Sequence, residues 1–239
     1  MIELAGSAAH VVVDDLDALE LRSVDEHHLA RVLRLRGAEA VTATDGRGGY
    51  RWCRWNGHGL DADGDCLREV RPEPAIGVGF GLVKGDRAEW IVQKLTELGV
   101  DRIIPLACER SVVRWEGERG RAQVARLARI AREACMQSRR VWLPEVAEVT
   151  PAAVLLAEPG VARADVDGAW PDPSATVPWS TVVVGPEGGW SATERGGEGP
   201  VVRLGEHVLR TETAALVAGA LLAGFRRLGR ANASTPHLS

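Results

Sequence analysis

Two glycine-bearing turns close to the C-terminal end hold the residue types best suited to chemistry. The first is TVVVGPEGGW, Thr181 to Trp190, and the second is VVRLGEHVLRTETAA, Val201 to Ala215. In each, a short β-branched run ends at a turn where backbone amides approach a ligand without a Cβ in the way. Glu187, Arg210, Thr211 and Glu212 flank these turns, so the pattern describes a pocket built mainly from main chain for a flat, hydrogen-bonding ligand. Other chemistries drop out on spacing. A P-loop needs Lys followed by Ser or Thr after its second glycine, which residues 185–190 lack. Gly77, Gly79 and Gly81 sit inside a strand pattern, whereas a dinucleotide fingerprint opens a helix. No serine stands in a G-x-S-x-G elbow.

The elements that must position these residues follow from periodicity. Arg71-Pro-Glu-Pro-Ala75 favours an extended connector and sets a domain boundary, with residues 1–72 on one side and 73–239 on the other. Upstream, strands are expected at Val11–Val13, Glu39–Thr44 and Tyr50–Trp55, with one helix from His27 to Leu35. Downstream, strands at Ile76–Val83, Arg102–Leu106, Ala152–Ala157, Thr181–Val184 and Val201–Leu204 alternate with helices at Asp86–Leu98, Arg121–Ser138 and Thr213–Arg227. The second helix would bury Val124, Leu127, Ala128, Ala131 and Cys135 and turn its arginines outward. Asp165–Pro178 reads as loop. The fold class is therefore α/β, a mostly parallel sheet covered on both faces and preceded by a small, mostly β module.

The chain has 239 residues, 45% of them hydrophobic and 26% charged, an ordinary balance for a globular chain. It holds no apolar run of about eighteen residues and opens without the basic-then-apolar pattern of a secretory signal. A cytoplasmic protein without a membrane partner is the expectation. Cys53, Cys66, Cys108 and Cys135 form no CxxC pair and stand at no zinc spacing, so four free thiols and no metal site are expected. The net charge of −4 argues against an overtly basic nucleic-acid binder. Clustering of Arg31, Arg34 and Arg36, and of arginines between Arg119 and Arg140, still allows local basic faces.

Five ordered blocks carry a family resemblance: KGDRAEWIVQKLTELG from Lys84 to Gly99, PLACERS from Pro105 to Ser111, EACMQS from Glu133 to Ser138, GPEGG from Gly185 to Gly189, and LRTETAA from Leu209 to Ala215. Together they closely resemble the RsmE family of 16S ribosomal RNA uridine-N3 methyltransferases. HLARVLRL, His28 to Leu35, is similar to that family's N-terminal PUA-like RNA-binding module.

The resemblance implies a SPOUT-type α/β domain with a C-terminal trefoil knot that binds S-adenosyl-L-methionine, a homodimer, and a substrate in 16S ribosomal RNA of the small ribosomal subunit. Carried over by motif, the cofactor residues are Leu156, Glu158, Gly185, Pro186, Glu187, Gly188, Gly189, Leu204, Gly205, Leu209, Arg210, Thr211 and Thr213. Arg210, Glu212 and Glu187 are the catalytic candidates. Arg31, Arg34, Arg36, Lys84, Arg110, Gln137, Ser138 and Arg140 are the RNA-binding candidates, and Arg126, Arg129, Arg132 and Arg139 could add phosphate contacts. Uracil N3 carries a proton and a carboxylate alone is a weak base for it, so Arg210 is expected to stabilise charge on the uracil oxygens while a glutamate accepts or relays the proton. Either Glu212 or Glu187 suits that role. One departure stands beside the pocket: Arg195-Gly-Gly-Glu-Gly-Pro200 interrupts the helix that the family continues after Ser191. Two alternatives stay open, a non-catalytic RNA-binding or ribosome-assembly protein of the same fold, and a methyltransferase of this class with a different RNA target.

Overall fold

The computed structural model describes residues 3–172 and 179–233. It divides into two compact units, one of residues 1–72 with 132–143, the other of residues 73–131 with 144–239.

In the first unit, β1 (Ala9–Val12) pairs parallel with β2 (Ala40–Thr44), which continues antiparallel into β3 (Gly49–Trp55). The short β4 (Leu60–Ala62) and β5 (Leu67–Arg68) both pair antiparallel with β3. Alternate residues Val41, Ala43, Cys53 and Trp55 turn into one core with Val11, Val13 and Leu29, as the period of two requires. The expected helix at His27–Leu35 is instead α1 (Ser23–His27) followed by a π-helical turn, His28–Val32. Only Leu29 of its apolar residues is buried, while Val32 and Leu33 are exposed, so no continuous apolar stripe sustains a longer helix.

In the second unit, β6 (Gly77–Gly81) leads to α2 (Arg87–Glu97), β7 (Arg102–Ala107) and α3 (Gly117–Ser138), whose last turns belong to the first unit. Then follow β8 (Glu145–Val146), β9 (Thr150–Pro151), α4 (Ala152–Leu156), β10 (Val161–Ala169), β11 (Thr181–Val184), α5 (Ala192–Arg195), β12 (Val201–Val202) and α6 (Thr211–Ala233). The strands form one sheet in the order β12-β10-β11-β6-β7-β8, with β9 also on β7, and every pairing is parallel. Both faces are apolar. Val78, Phe80, Ile103, Val182 and Val184 pack with Ile91, Leu95, Leu127, Ala215 and Leu222, while Ile104, Leu106 and Val183 pack with Ala152 and Leu155.

Several expectations from periodicity need correction here. Ala152–Leu156 is helix, not strand. Pro151 supplies an extended N-cap, and Ala152 and Leu155 turn inward at helical spacing while Val154 faces out, an ambiguity that so short an apolar run leaves unresolved. The stretch from Asp165 begins as part of β10, which runs to Ala169; residues 170–172 carry no regular structure, as expected of a loop, and residues 173–178 lie outside the described residues. On α3, Ala128 is exposed and Arg132 is buried. Arg132 grips Asp25 through two hydrogen bonds, 3.1 and 2.6 Å, and donates to the carbonyl of Val12 at 2.7 Å. Its guanidinium is thus spent inside the first unit and is no phosphate ligand. Arg139 is likewise engaged, donating to the carbonyls of Leu4 and Ser7.

Candidate functional site: a cavity at the strand ends

The glycines of β6 make room for the loop that matters. A Cβ on Gly81 would stand 2.6 Å from the backbone nitrogen of Pro186, so only glycine lets the turn after β11 cross the end of β6. That turn closes with the amide of Gly189 donating to the carbonyl of Pro186 at 2.8 Å, and Gly189 takes φ +68. Two side chains then pin it. Trp190, 3% exposed, donates its indole N–H to the carbonyl of Ala164 at 2.9 Å. Thr211, 4% exposed, donates its hydroxyl to the carbonyl of Gly185 at 2.9 Å, tying the start of α6 to the loop.

On the other side β10 follows β11 only from Val161 to Arg163 and then bulges, its pairing with β12 shifting register between Ala164 and Ala169. Gly168 permits the bulge to lie against the backbone of β12, because a Cβ there would meet the carbonyl carbon of Val202 at 2.5 Å. Below the turn, α5 carries a full capping box between Ser191 and Glu194, and buried Glu194 also accepts from the amide of Glu109 at 2.9 Å.

The result is a cavity of about 680 Å³ at the C-terminal ends of β10, β11 and β12, within the usual range for a small-molecule site. Parallel sheets bind ligands at such ends, where strand order reverses. Of the expected cofactor residues, Gly185, Pro186, Glu187, Gly189, Leu204, Gly205, Leu209, Arg210 and Thr211 all line it. The others do not. Leu156 and Glu158 line a separate cavity of about 450 Å³ against the 193–200 segment, because α4 occupies the place where a strand end was expected; the bulge at Ala164, Asp165 and Val166 lines the main cavity instead. Gly188 turns to the backbone of Arg110, and Thr213 lies exposed on α6. Thr211 is the first residue of α6.

Arg87, which no motif singles out, joins the catalytic candidates. Its guanidinium donates to Glu187 and stands 3.7 Å from Glu212. That hydrogen bond and charge, reinforced by Lys84 and Arg210, hold the Glu187 carboxyl below the usual carboxylate range, and the same bond raises Arg87. Glu212 differs: its side chain is 14% exposed and its buried Oε2 has no hydrogen-bond partner. Arg210 is exposed and lines the cavity. The only signal for Arg87 in the sequence is its place in the Lys84 block.

Of the RNA-binding candidates, Arg31, Arg34, Arg36, Lys84, Arg110 and Gln137 are exposed. Ser138 turns its hydroxyl back onto the carbonyl of Ala134 at 2.7 Å, and the Arg140 carbonyl accepts from His10. Arg126 pairs with Glu89 at 2.8 Å. The cysteines are free, and burial pushes the Cys108 thiol up to about 12, which suits packing and not nucleophilic attack. Among the described residues no group of His, Cys, Asp or Glu is placed to hold a metal ion, and no helix is long and apolar enough to cross a membrane.

An α/β domain with a cavity at its strand ends and a glutamate–arginine cluster on the rim matches the RNA methyltransferase domain model over residues 71–223. The chain is similar to the ribosomal RNA small subunit methyltransferase E of Mycobacterium bovis, 34% identical over 228 residues that span 85% of this chain and 86% of that protein. The Bacillus subtilis protein of the same name is 29% identical over 230 residues, 86% of this chain and 90% of that one. Among solved structures, a ribosomal RNA small subunit methyltransferase E from Neisseria gonorrhoeae, bound to S-adenosyl methionine, superposes with a TM-score of 0.74 at 29% identity, covering 89% of this chain and 95% of that one. The chain belongs to the ribosomal RNA small subunit methyltransferase E family of RNA methyltransferases.

Proposed function

We propose that this protein is an S-adenosylmethionine-dependent methyltransferase that modifies N3 of a uridine in 16S ribosomal RNA. In this reading the chain at the strand ends is threaded as a trefoil knot, residues 1–72 form a PUA-like RNA-binding domain, and the enzyme works as a cytoplasmic homodimer. The cavity fits the cofactor: it has the volume, apolar walls at Val184, Leu204 and Leu209, and a buried unpartnered acceptor, Asp165 Oδ2. When bound, the sulfonium supplies an electrophilic methyl for in-line transfer.

The chain's own residues then have the nucleophile to prepare. Arg210 donates to the uracil oxygens and stabilises the charge that develops as N3 loses its proton. Glu212 takes or relays that proton through Oε2, the carboxylate oxygen with no competing donor. Glu187 is a weaker base because Arg87 already engages it; it steadies Arg87 beside Glu212. The unpartnered Glu212 oxygen, on a carboxylate 3.7 Å from the cavity-lining Arg87, carries this assignment. RNA is held by charge, at Arg31, Arg34 and Arg36 with Gln137 and Arg140 on the first unit and at Lys84 and Arg110 on the second, so binding weakens steeply with salt.

The test is methyl transfer to small subunits lacking the modification, read as N3-methyluridine by mass spectrometry. Glu212→Gln should cut turnover about 100-fold or more with little change in cofactor affinity, and Arg210→Ala should do the same. Glu187→Gln should cost much less. Equal losses from Glu187→Gln and Glu212→Gln would defeat the assignment of the base, and an unmodified N3 in the wild-type reaction would defeat the function.

A further inference from the structure

At the bulge of β10 the cavity holds a carboxylate that the fold itself leaves half used. The Asp165 side chain is 7% exposed. Its Oδ1 accepts from the amide of Val166 at 2.9 Å, and its Oδ2 is buried without a hydrogen-bond partner. Two guanidinium groups stand near that oxygen at ion-pair distances too long for hydrogen bonds, Arg195 Nη2 at 3.5 Å and Arg163 Nη1 at 3.7 Å. Arg163 stays behind the wall, but Asp165 and Arg195 both line the cavity. Burying an anionic acceptor without a donor is unfavourable unless a ligand brings one.

Arg195 owes its position to the segment that departs from the family pattern. The capping box holds α5 at Ser191 and Glu194, the helix ends at Arg195, and the chain turns away through Gly196 and Gly197. That leaves a cation about half exposed, at 48%, directly beside the buried acid. An acceptor and a donor of opposite charge, side by side on one wall, complement an ammonium and a carboxylate carried on one carbon. Neutral donors, such as ribose hydroxyls or an adenine amine, would satisfy Asp165 and leave the adjacent cation without a role.

We propose that Asp165 and Arg195 form the subsite for the amino-acid end of the methyl donor, Asp165 Oδ2 accepting from the α-ammonium and Arg195 donating to the α-carboxylate. This assignment rests on reading the cavity as the S-adenosylmethionine site. Calorimetric titration separates the two claims by using S-adenosylhomocysteine, which keeps the whole amino acid, and methylthioadenosine, which keeps the nucleoside and thioether but lacks it. Asp165→Asn and Arg195→Met should each weaken S-adenosylhomocysteine about tenfold or more and leave methylthioadenosine within about twofold of wild type. The preserved methylthioadenosine affinity also reports that the cavity is folded, and the half-exposed Arg195 supplies a variant with little burden on the fold. Unchanged S-adenosylhomocysteine affinity in both variants overturns the subsite. Parallel weakening of both ligands in Asp165→Asn overturns it in favour of a nucleoside contact. A wild-type protein that binds neither ligand overturns the cavity reading and the subsite with it.

Discussion

Replacing Thr211 by Val tests whether the start of α6 sets the shape of the cavity. Val matches Thr in shape, so packing at this buried position is kept and only the hydroxyl is lost. The bond removed is the 2.9 Å one to the carbonyl of Gly185, at a residue 4% exposed. A neutral hydrogen bond contributes about 1 kcal/mol net, but stranding the part-buried carbonyl raises the loss to about 1–3 kcal/mol. Taking the middle of that range, thermal unfolding should fall by about 4–8 °C for a chain of this size. Gly185 lies in the cavity wall, so the loop that has lost its tether must be re-ordered by the ligand, and S-adenosylhomocysteine should bind about tenfold more weakly. Thr211→Ser keeps the hydroxyl and should stay within about twofold of wild type. Differential scanning fluorimetry and calorimetric titration on the three proteins settle the matter. If Thr211→Val melts and binds like wild type, the loop is held by Trp190 and the glycine packing alone, and the reasoning fails.

Two further outcomes concern the first unit. His10 is buried and neutral, with Nε2 donating to the Arg140 carbonyl at 3.1 Å and Nδ1 facing the Thr42 hydroxyl at 2.8 Å; burial lowers it to about 4 from 6.5. The unfolded chain therefore binds this proton first as pH falls, so the full stability is present above about pH 6.5 and up to about 3 kcal/mol is lost between pH 6.5 and 4. His10→Gln should flatten that part of a stability–pH curve, and an unchanged slope would assign the loss elsewhere. Arg132→Met should destabilise the protein by about 3–5 kcal/mol in denaturant titration because it strands buried Asp25, whereas pairing it with Asp25→Leu should recover much of the loss; a double variant no better than the single one contradicts the ion-pair account.

Much of the site was legible in the sequence because its residues are local to each other. The GPEGG turn and the stretch from Leu204 to Thr211 each hold their cavity residues within a few positions, and the glycines signal close backbone approach by residue type alone. The same locality made the parallel α/β architecture readable, since alternating strand and helix patterns are properties of short windows. Ala152–Leu156 escaped that reading because five residues span too little to separate a period of two from one of 3.6.

What the sequence by itself determined, then, was the set of backbone turns and the order of elements that brings them to one end of a sheet. Only the tertiary structure decided how charges are partnered. Arg87 reaches Glu187 across 100 residues of chain, Arg132 reaches Asp25 across 107, and Asp165 meets Arg195 at the cavity wall. Those meetings choose which glutamate keeps a free oxygen, remove one arginine from any RNA surface and set an acid beside a cation in the cavity wall. Their physical reason is common to all three: a pairing between distant residues is set by strand order and burial, which no local window contains, while a glycine's freedom to turn belongs to the residue wherever it stands.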